Sequence, residues 1–263
     1  MAGQIWADHD SITIDGNHHY HVKGIQGWMP SCSTIAKHVD AGSSDGLLKW
    51  ASEIALETGN VWGFKQSNKE SLDIGSEVHK EISEHIIARM NNEETPQLAS
   101  SLFWALYANI EELKPHWLAS ELKCARTDLW YGGTVDAVAI INDELVILDW
   151  KTAKQYTGAG APNKFVRKDY AVQVGGYYAL LEANEGFHKK VFINESASVS
   201  ESVGDYFTAG KVKAYVVKIY KDYDPEREGS QQVELQEVNL PNAKKAFYAC
   251  LDVYQSKGGL YVK

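Results

Sequence analysis

Gly132–Lys151 reads GGTVDAVAIINDELVILDWK, and the pairing of that stretch decides the fold. Two Val- and Ile-rich runs without proline, TVDAVAII and ELVILDWK, flank Asn142-Asp143, which predicts two β-strands joined by a two-residue hairpin turn. That turn sets Ile141 against Glu144. Counting outward sets Asp136 against Asp149, and Thr134 against Lys151. Opposed residues of an antiparallel pair have Cβ atoms about 4.5–5.5 Å apart, and like charges there destabilise the pair. Two carboxylates at the ends of apolar strands therefore point to a divalent cation between them. Lys151 lies two residues past Asp149 on the same strand face, so an ammonium joins the two carboxylates. A plain ion pair between Asp149 and Lys151 accounts for the same residues equally well.

Working outward toward the N-terminus, WLASELKCA (117–125) reads as a strand, with Glu121 a mid-strand carboxylate that must be solvated, paired or metal-bound. The paired glycines Gly132-Gly133 suggest a bulge or the close approach of another backbone. A helix with Leu98, Leu102, Leu106, Ile110 and Leu113 on one face has Thr95 as its N-cap and Pro96 at its first position, and Pro115 ends it. Another runs from about Ser71 to Met90, with Ile74, Val78, Ile82 and Ile86 inward, Gly75 and His79 beside that face, and His85 further along. Upstream, Leu47, Trp50, Ile54 and Thr58 mark a helix that stops at Gly59, and Ser31 or Ser33 can cap a shorter one. Asp15-Gly16-Asn17 turns a first hairpin with strands near 11–14 and 19–23, where His18, His19 and His21 are taken as polar surface.

Toward the C-terminus, Lys151 to Lys168 carries five basic residues (Lys151, Lys154, Lys164, Arg167, Lys168) and no acidic one. It is either a solvated loop or a phosphate-contacting one. A helix follows over 169–184, capped by Asp169, with Gln173 and Tyr177 one turn apart. Gly175-Gly176 weaken it by about 1 kcal/mol each, so it must pack closely on something, the sheet or a substrate backbone. The Ser-rich stretch 194–210 reads as a long loop or flap. Strands follow over 211–220 and within QQVELQEVNL, then a final helix capped by Asn242 with Ala243, Phe247, Leu251 and Tyr254 inward.

At 263 residues the chain can bury a large single core. The net charge of -9 argues against a protein that coats nucleic acid, though not against an enzyme that acts on it. Cys32, Cys124 and Cys250 are widely spaced, which predicts free thiols in a reducing compartment and no structural zinc. The polar N-terminus is unlike a signal peptide, and no apolar run reaches the ~18 residues of a membrane span.

The order GSEVH (75–79), SE (120–121), GGTVDAV (132–138), ILDWKTAK (147–154) and QVGGYY (173–178) resembles the PD-(D/E)XK nuclease superfamily, in its RecB-type branch with the phage and mitochondrial genome-maintenance exonucleases. The resemblance covers roughly residues 27 to 183 and includes MPSCSTIAKHV near the N-terminus. It implies a restriction-endonuclease-like α/β core: a mixed central β-sheet flanked by helices, with an N-terminal β-hairpin and a helical arm able to form a tunnel or arch for DNA. One nuclease domain would span 1–263, with hairpin and arm over 1–70, the motif-bearing core over 71–183 and C-terminal strands and helix over 184–263. His79, Asp136, Asp149 and the Trp150 carbonyl would hold Mg²⁺ or Mn²⁺, and Lys151 would be the catalytic lysine. Glu121 would act through a metal-bound water, with Gln173 and Tyr177 positioning the lysine or the DNA strand. Lys154, Lys164, Arg167, Lys168 and Tyr156 would contact DNA, with Trp130, Tyr131 and Phe165 as further stacking candidates or else core. Asp149 stands where many superfamily members have Glu, a substitution common in this branch. The cysteines that hold an iron–sulfur cluster in some relatives are missing, so no cluster is expected.

The function so implied is a metal-dependent DNA exonuclease of phage recombination or replication, acting on single-stranded or duplex ends in the (host) cytoplasm. A single-strand annealing or binding protein is an expected partner, and a membrane is not. The rivals are a structure-specific or restriction-like endonuclease of the same superfamily, and a catalytically inactive DNA-binding or protein-docking module.

Overall fold

The computed structural model describes residues 9–40, 45–96, 106–107, 109–154, 166–194, 199–224, 226 and 231–257. Its centre is the hairpin of β4 (Tyr131–Ile141) and β5 (Glu144–Ala153). Asn142 and Asp143 both take positive φ, 50° and 62°, the conformation that matches a two-residue turn to the strands' twist. Ile141 pairs with Glu144 as expected, and the register holds to Ala137 opposite Leu148. There the ladder ends. Asp136 and Thr134 do not continue it against Asp149 and Lys151, because β5 keeps only its other neighbour from that point on.

That neighbour is β8 (Val212–Tyr220), parallel to β5 from Leu145–Val212 to Ala153–Tyr220. With β3 (His116–Arg126) and β9 (Val233–Glu237) at the edges, the mixed sheet has the order β3-β4-β5-β8-β9. A small antiparallel hairpin, β1 (Ile12–Ile14) and β2 (Tyr20–Val22), forms a separate two-stranded sheet that packs on the β3 and β4 strands. Asp15 sets the hairpin's turn by accepting the backbone N–H groups of Asn17 and His19 on one carboxylate oxygen.

Alternation along the strands sends side chains to two cores. Val138, Ile140, Leu145, Ile147, Ala214 and Val216 face one core, and Ala137, Ala139, Val146, Leu148, Trp150 and Val217 face the other. The first is covered by α1 (Cys32–Ala36), α4 (Lys168–Glu182) and α7 (Leu240–Ser256). The second is covered by α3 (Gly63–Asn91) and the helical segment holding Leu106 and Ile110. A helical pair is thus formed by α2 (Asp45–Thr58) and the first turns of α3, where Gly63 leaves room for Ile54 and Thr58.

Several sequence expectations shift. α3 starts two turns before Ser71, and Ile74 is exposed whereas Val78, Ile82 and Ile86 are buried. Ser31, not Ser33, caps α1. Asn239 caps α7, ahead of Asn242, with Pro241 in the first turn where it costs no hydrogen bond. Arg167 stands at the N-cap of α4, and Asp169 instead pairs with its guanidinium. Gly132 and Gly133 make no bulge, but another backbone does approach: the Gly132 N–H donates to the Pro30 carbonyl at 3.0 Å in a bridge with Ser31, and the rings of Tyr20 and Tyr177 pack against Gly132 and Gly133 respectively. Gly175 and Gly176 pack on α7, against Ala243 and Phe247, rather than on the sheet. The 194–210 stretch holds β7 (Val199–Ser202), which pairs with β6 (Val191–Asn194), and α6 (Val203–Thr208) behind a Ser202–Asp205 capping box. α5 (Glu185–His188) is a single turn between α4 and β6.

Candidate metal centre

The site lies where β4 and β5 part. A strand that loses a neighbour leaves backbone groups unpaired, and these must find other partners. Trp150 shows both solutions. Its N–H donates to Asp136 Oδ2 at 2.8 Å, and its carbonyl is 2.9 Å from His79 Nε2. A carbonyl only accepts, so Nε2 carries a hydrogen, which leaves Nδ1 as the ring nitrogen able to offer a lone pair to a cation. That Nδ1 is 3.7 Å from Asp136 Oδ2 and 4.0 Å from Glu121 Oε1. His79 reaches the sheet because Gly75, one turn earlier on α3, has only Thr152 Oγ1 beside it, where a Cβ would come within 3.2 Å.

Glu121 gets there through its backbone. In mid-β3 it adopts φ 47°, a left-handed conformation that non-glycine residues rarely take. Its neighbours keep register, Ser120 with Ala137 and Leu122 with Val135, which brackets Glu121 against Asp136. Strict alternation would send Ser120 and Glu121 to opposite faces. Instead both turn toward α3, the Ser120 hydroxyl to Ser83 at 3.1 Å and the Glu121 carboxylate to His79. The carboxylate opposite Asp136 is thus that of Glu121 on β3, where local register had placed Asp149. Burial, reinforced by the charge of Asp136, pushes the Glu121 carboxyl up to about 8, and Lys151 opposes the rise.

Asp149 and Lys151 occupy the adjoining position toward α4. Asp149 is fully buried, and Lys151 Nζ lies 2.8 Å from its carboxylate oxygens and donates to Oδ1. Gln173 Nε2 bonds the Tyr177 hydroxyl at 2.6 Å and reaches Asp149 Oδ1 at 3.4 Å. Burial, with the charge of Asp136, raises the Asp149 carboxyl, and Lys151 pulls it part of the way back. Burial alone would lower the Lys151 ammonium, but Asp149 and Asp136 outweigh it and hold it above its ordinary value, so Lys151 carries its charge.

The structure brings His79, Glu121 and Asp136 together, with one donor atom from each within 4.8 Å of the others. Asp149 Oδ2 is buried without a hydrogen bond although it is close to Nζ. One imidazole nitrogen beside carboxylate oxygens, with an acceptor left unsatisfied, fits a divalent cation. The Trp150 carbonyl, expected to face the cation, accepts from His79.

Among the expected DNA contacts, Lys154 is exposed at the end of β5, and Arg167 lies over the Tyr170 ring at 4.3 Å. Lys168 begins α4, while Tyr156, Lys164 and Phe165 lie outside the described residues. Tyr131 is wholly buried against Phe247 and belongs to the core. His85 sits away from the site, buried beside Glu111. Sequence reasoning missed Tyr170, whose ring lies 5.3 Å from Lys151 Nζ, and the Tyr20–Thr134 hydroxyl contact at 2.9 Å that ties the N-terminal hairpin to the strand of Asp136. Tyr170 was findable one turn before Gln173 on the same helix. The Tyr20 contact spans 114 residues and leaves no local signal.

No family model and no curated protein matches the sequence. Among solved structures, the crystal structure of LHK-Exo in complex with dAMP is similar at 11% identity, covering 88% of this chain and 93% of that one, with a TM-score of 0.24. Among the described residues no helix is long and apolar enough to cross a membrane.

Proposed function

We propose that the protein is a divalent-metal-dependent deoxyribonuclease that removes nucleotides from DNA ends. The observation that carries this is the convergence of His79, Glu121 and Asp136, donor atoms within 4.8 Å, beside the buried Asp149–Lys151 pair. Like-charged carboxylates set opposite each other are unfavourable without a counter-charge, and such a cluster next to an ammonium suits phosphodiester hydrolysis.

His79, Asp136 and Glu121 would hold the cation, with Asp149 as a further carboxylate. Bound there, Mg²⁺ or Mn²⁺ supplies Lewis-acid polarisation of a phosphoryl oxygen and a more acidic water. In the reaction a water oxygen bonds to phosphorus and gives up a proton to solvent, the bond from phosphorus to the bridging oxygen breaks, and the departing alkoxide takes a proton from solvent. Lys151 neutralises charge gathering on the phosphoryl oxygens and orients the attacking water. Gln173, bonded to Tyr177, holds Asp149 and so fixes Lys151. Trp150 locks the His79 tautomer through its carbonyl. Lys154, Arg167 and Lys168, with Lys164 and Tyr156 from the sequence between them, would contact the strand.

The test is digestion of end-labelled linear DNA and closed circular DNA with Mg²⁺ or Mn²⁺. The linear substrate should shorten from its ends while the circle survives. Asp136→Asn, Asp149→Asn and Lys151→Met should each lower the rate by about 10²–10³-fold, the range seen when charge-stabilising groups are removed. Cutting of the circle would make the enzyme an endonuclease. Undiminished cleavage by any of the three variants would remove the site from the chemistry.

A further inference from the structure

Lys218 lies next to Lys151 on the neighbouring strand. The parallel register sets Lys151 against Lys218, and partners across a ladder point to the same face. Both lysines therefore project toward α4, on adjacent strands about 4.8 Å apart. Two ammonium groups in that relation repel each other, as opposed carboxylates do. Lys151 is compensated by Asp149 at 2.8 Å. Lys218 is not compensated in the same way. Its nearest carboxylate, Glu234, is 3.9 Å from Nζ, and the two Glu234 oxygens already accept from the Tyr220 hydroxyl and from Gln236 Nε2. Among the described residues the Lys218 ammonium makes no hydrogen bond, although its side chain is only 11% exposed. The charge of Arg167, at the start of α4, adds to the crowding. A buried stem, a charged tip without a hydrogen bond and a second cation alongside form a place prepared for an anion.

We infer that Lys218 binds a non-scissile phosphate of the DNA strand, the one adjacent to the phosphodiester at Lys151. This rests on the nuclease reading and adds a substrate-positioning residue to it. Lys218 would steer the backbone along the β5–β8 row, and its contact would contribute to binding in the ground state and the transition state alike.

The experiment uses the full chain and a fluorescein-labelled single-stranded oligonucleotide. Affinity is read by anisotropy in EDTA, where nothing is cut, over a series of salt concentrations. Cleavage kinetics are read separately in Mg²⁺. For Lys218→Met, Kd and KM should rise roughly tenfold, and the slope of log K against log salt should fall by about 1, as expected for one lost phosphate contact. kcat should stay within about threefold, and Lys218→Arg should restore most of the affinity. A wild type that binds and cuts beside a Lys218→Met variant of unchanged Kd and salt slope overturns the assignment. So does a fall in kcat with KM unchanged, which would mark Lys218 as structural support for Lys151. A wild type that neither binds nor cuts DNA overturns the nuclease reading itself, and this inference with it.

Discussion

At Glu121 the backbone conformation and the chemistry oppose each other. A left-handed L-residue costs roughly 1–2 kcal/mol, and at φ 47° Glu121 bears that cost in mid-strand while setting its carboxylate opposite Asp136. Neither feature helps β3 fold. Both help to hold a cation with His79. Glu121→Gly removes the Cβ clash and the half-buried carboxyl together, so it should stabilise the protein by about 1 kcal/mol. The same change should lower cleavage by about 100-fold or more. Glu121→Ala loses the carboxylate but keeps the Cβ, and should gain less stability. Urea unfolding and a cleavage assay on both variants check this, and a glycine variant less stable than the alanine one would refute the strain account. The left-handed turn has no mark in ASELK. The sequence supplied a mid-strand acid, and only the neighbouring strand shows which side it must face.

Elements whose partners are local were legible in the sequence, and those whose partners are distant were not. Asn142-Asp143 fixed the turn and the first register pairs, and the stripe Val78, Ile82, Ile86 fixed the buried face of α3. The end of the β4–β5 ladder was hidden, because it depends on Asp136 and His79 capturing the backbone of Trp150. The partner of Gly175-Gly176 was hidden for the same reason: α7 is some 70 residues further along the chain. The packing there makes a sharp prediction. A Cβ at Gly175 would lie 2.3 Å from the carbonyl carbon of Ala243, so α4 and α7 would have to move apart. Gly175→Ala gains up to about 1 kcal/mol of helix propensity, yet overpacking of this kind costs typically about 1–3 kcal/mol. With backbone as the obstacle the upper end should apply, leaving a net loss near 2 kcal/mol. Gly16→Ala, with nothing within 4 Å, is the control and should be close to neutral. Equal denaturation midpoints for the two variants would rule out close α4–α7 packing as the reason for the glycine pair.

In the whole molecule, the candidate site draws on every layer. α3 brings His79 from one face of the sheet, and β3, β4 and β5 bring Glu121, Asp136 and Asp149. α4 brings Gln173 from the other face. A cation held there would therefore tie α3 to the sheet strands that carry Glu121 and Asp136. A ligand that binds only the folded state stabilises it by RT ln(1 + [L]/Kd), about 2.7 kcal/mol at a hundredfold excess over Kd. For a chain of this size that corresponds to a rise in Tm of roughly 5–10 °C. Mn²⁺ or Mg²⁺ should produce this shift in the wild type. His79→Ala and Asp136→Asn should lose most of it, since each removes one of the converging donors. Lys151→Met separates binding from chemistry. It takes away the ammonium beside Asp149 without touching a donor, so the shift should persist or grow while cleavage disappears. If His79→Ala and Asp136→Asn keep the full shift, the cation binds elsewhere. If Lys151→Met abolishes it, Lys151 sustains the site's geometry rather than neutralising charge in the reaction.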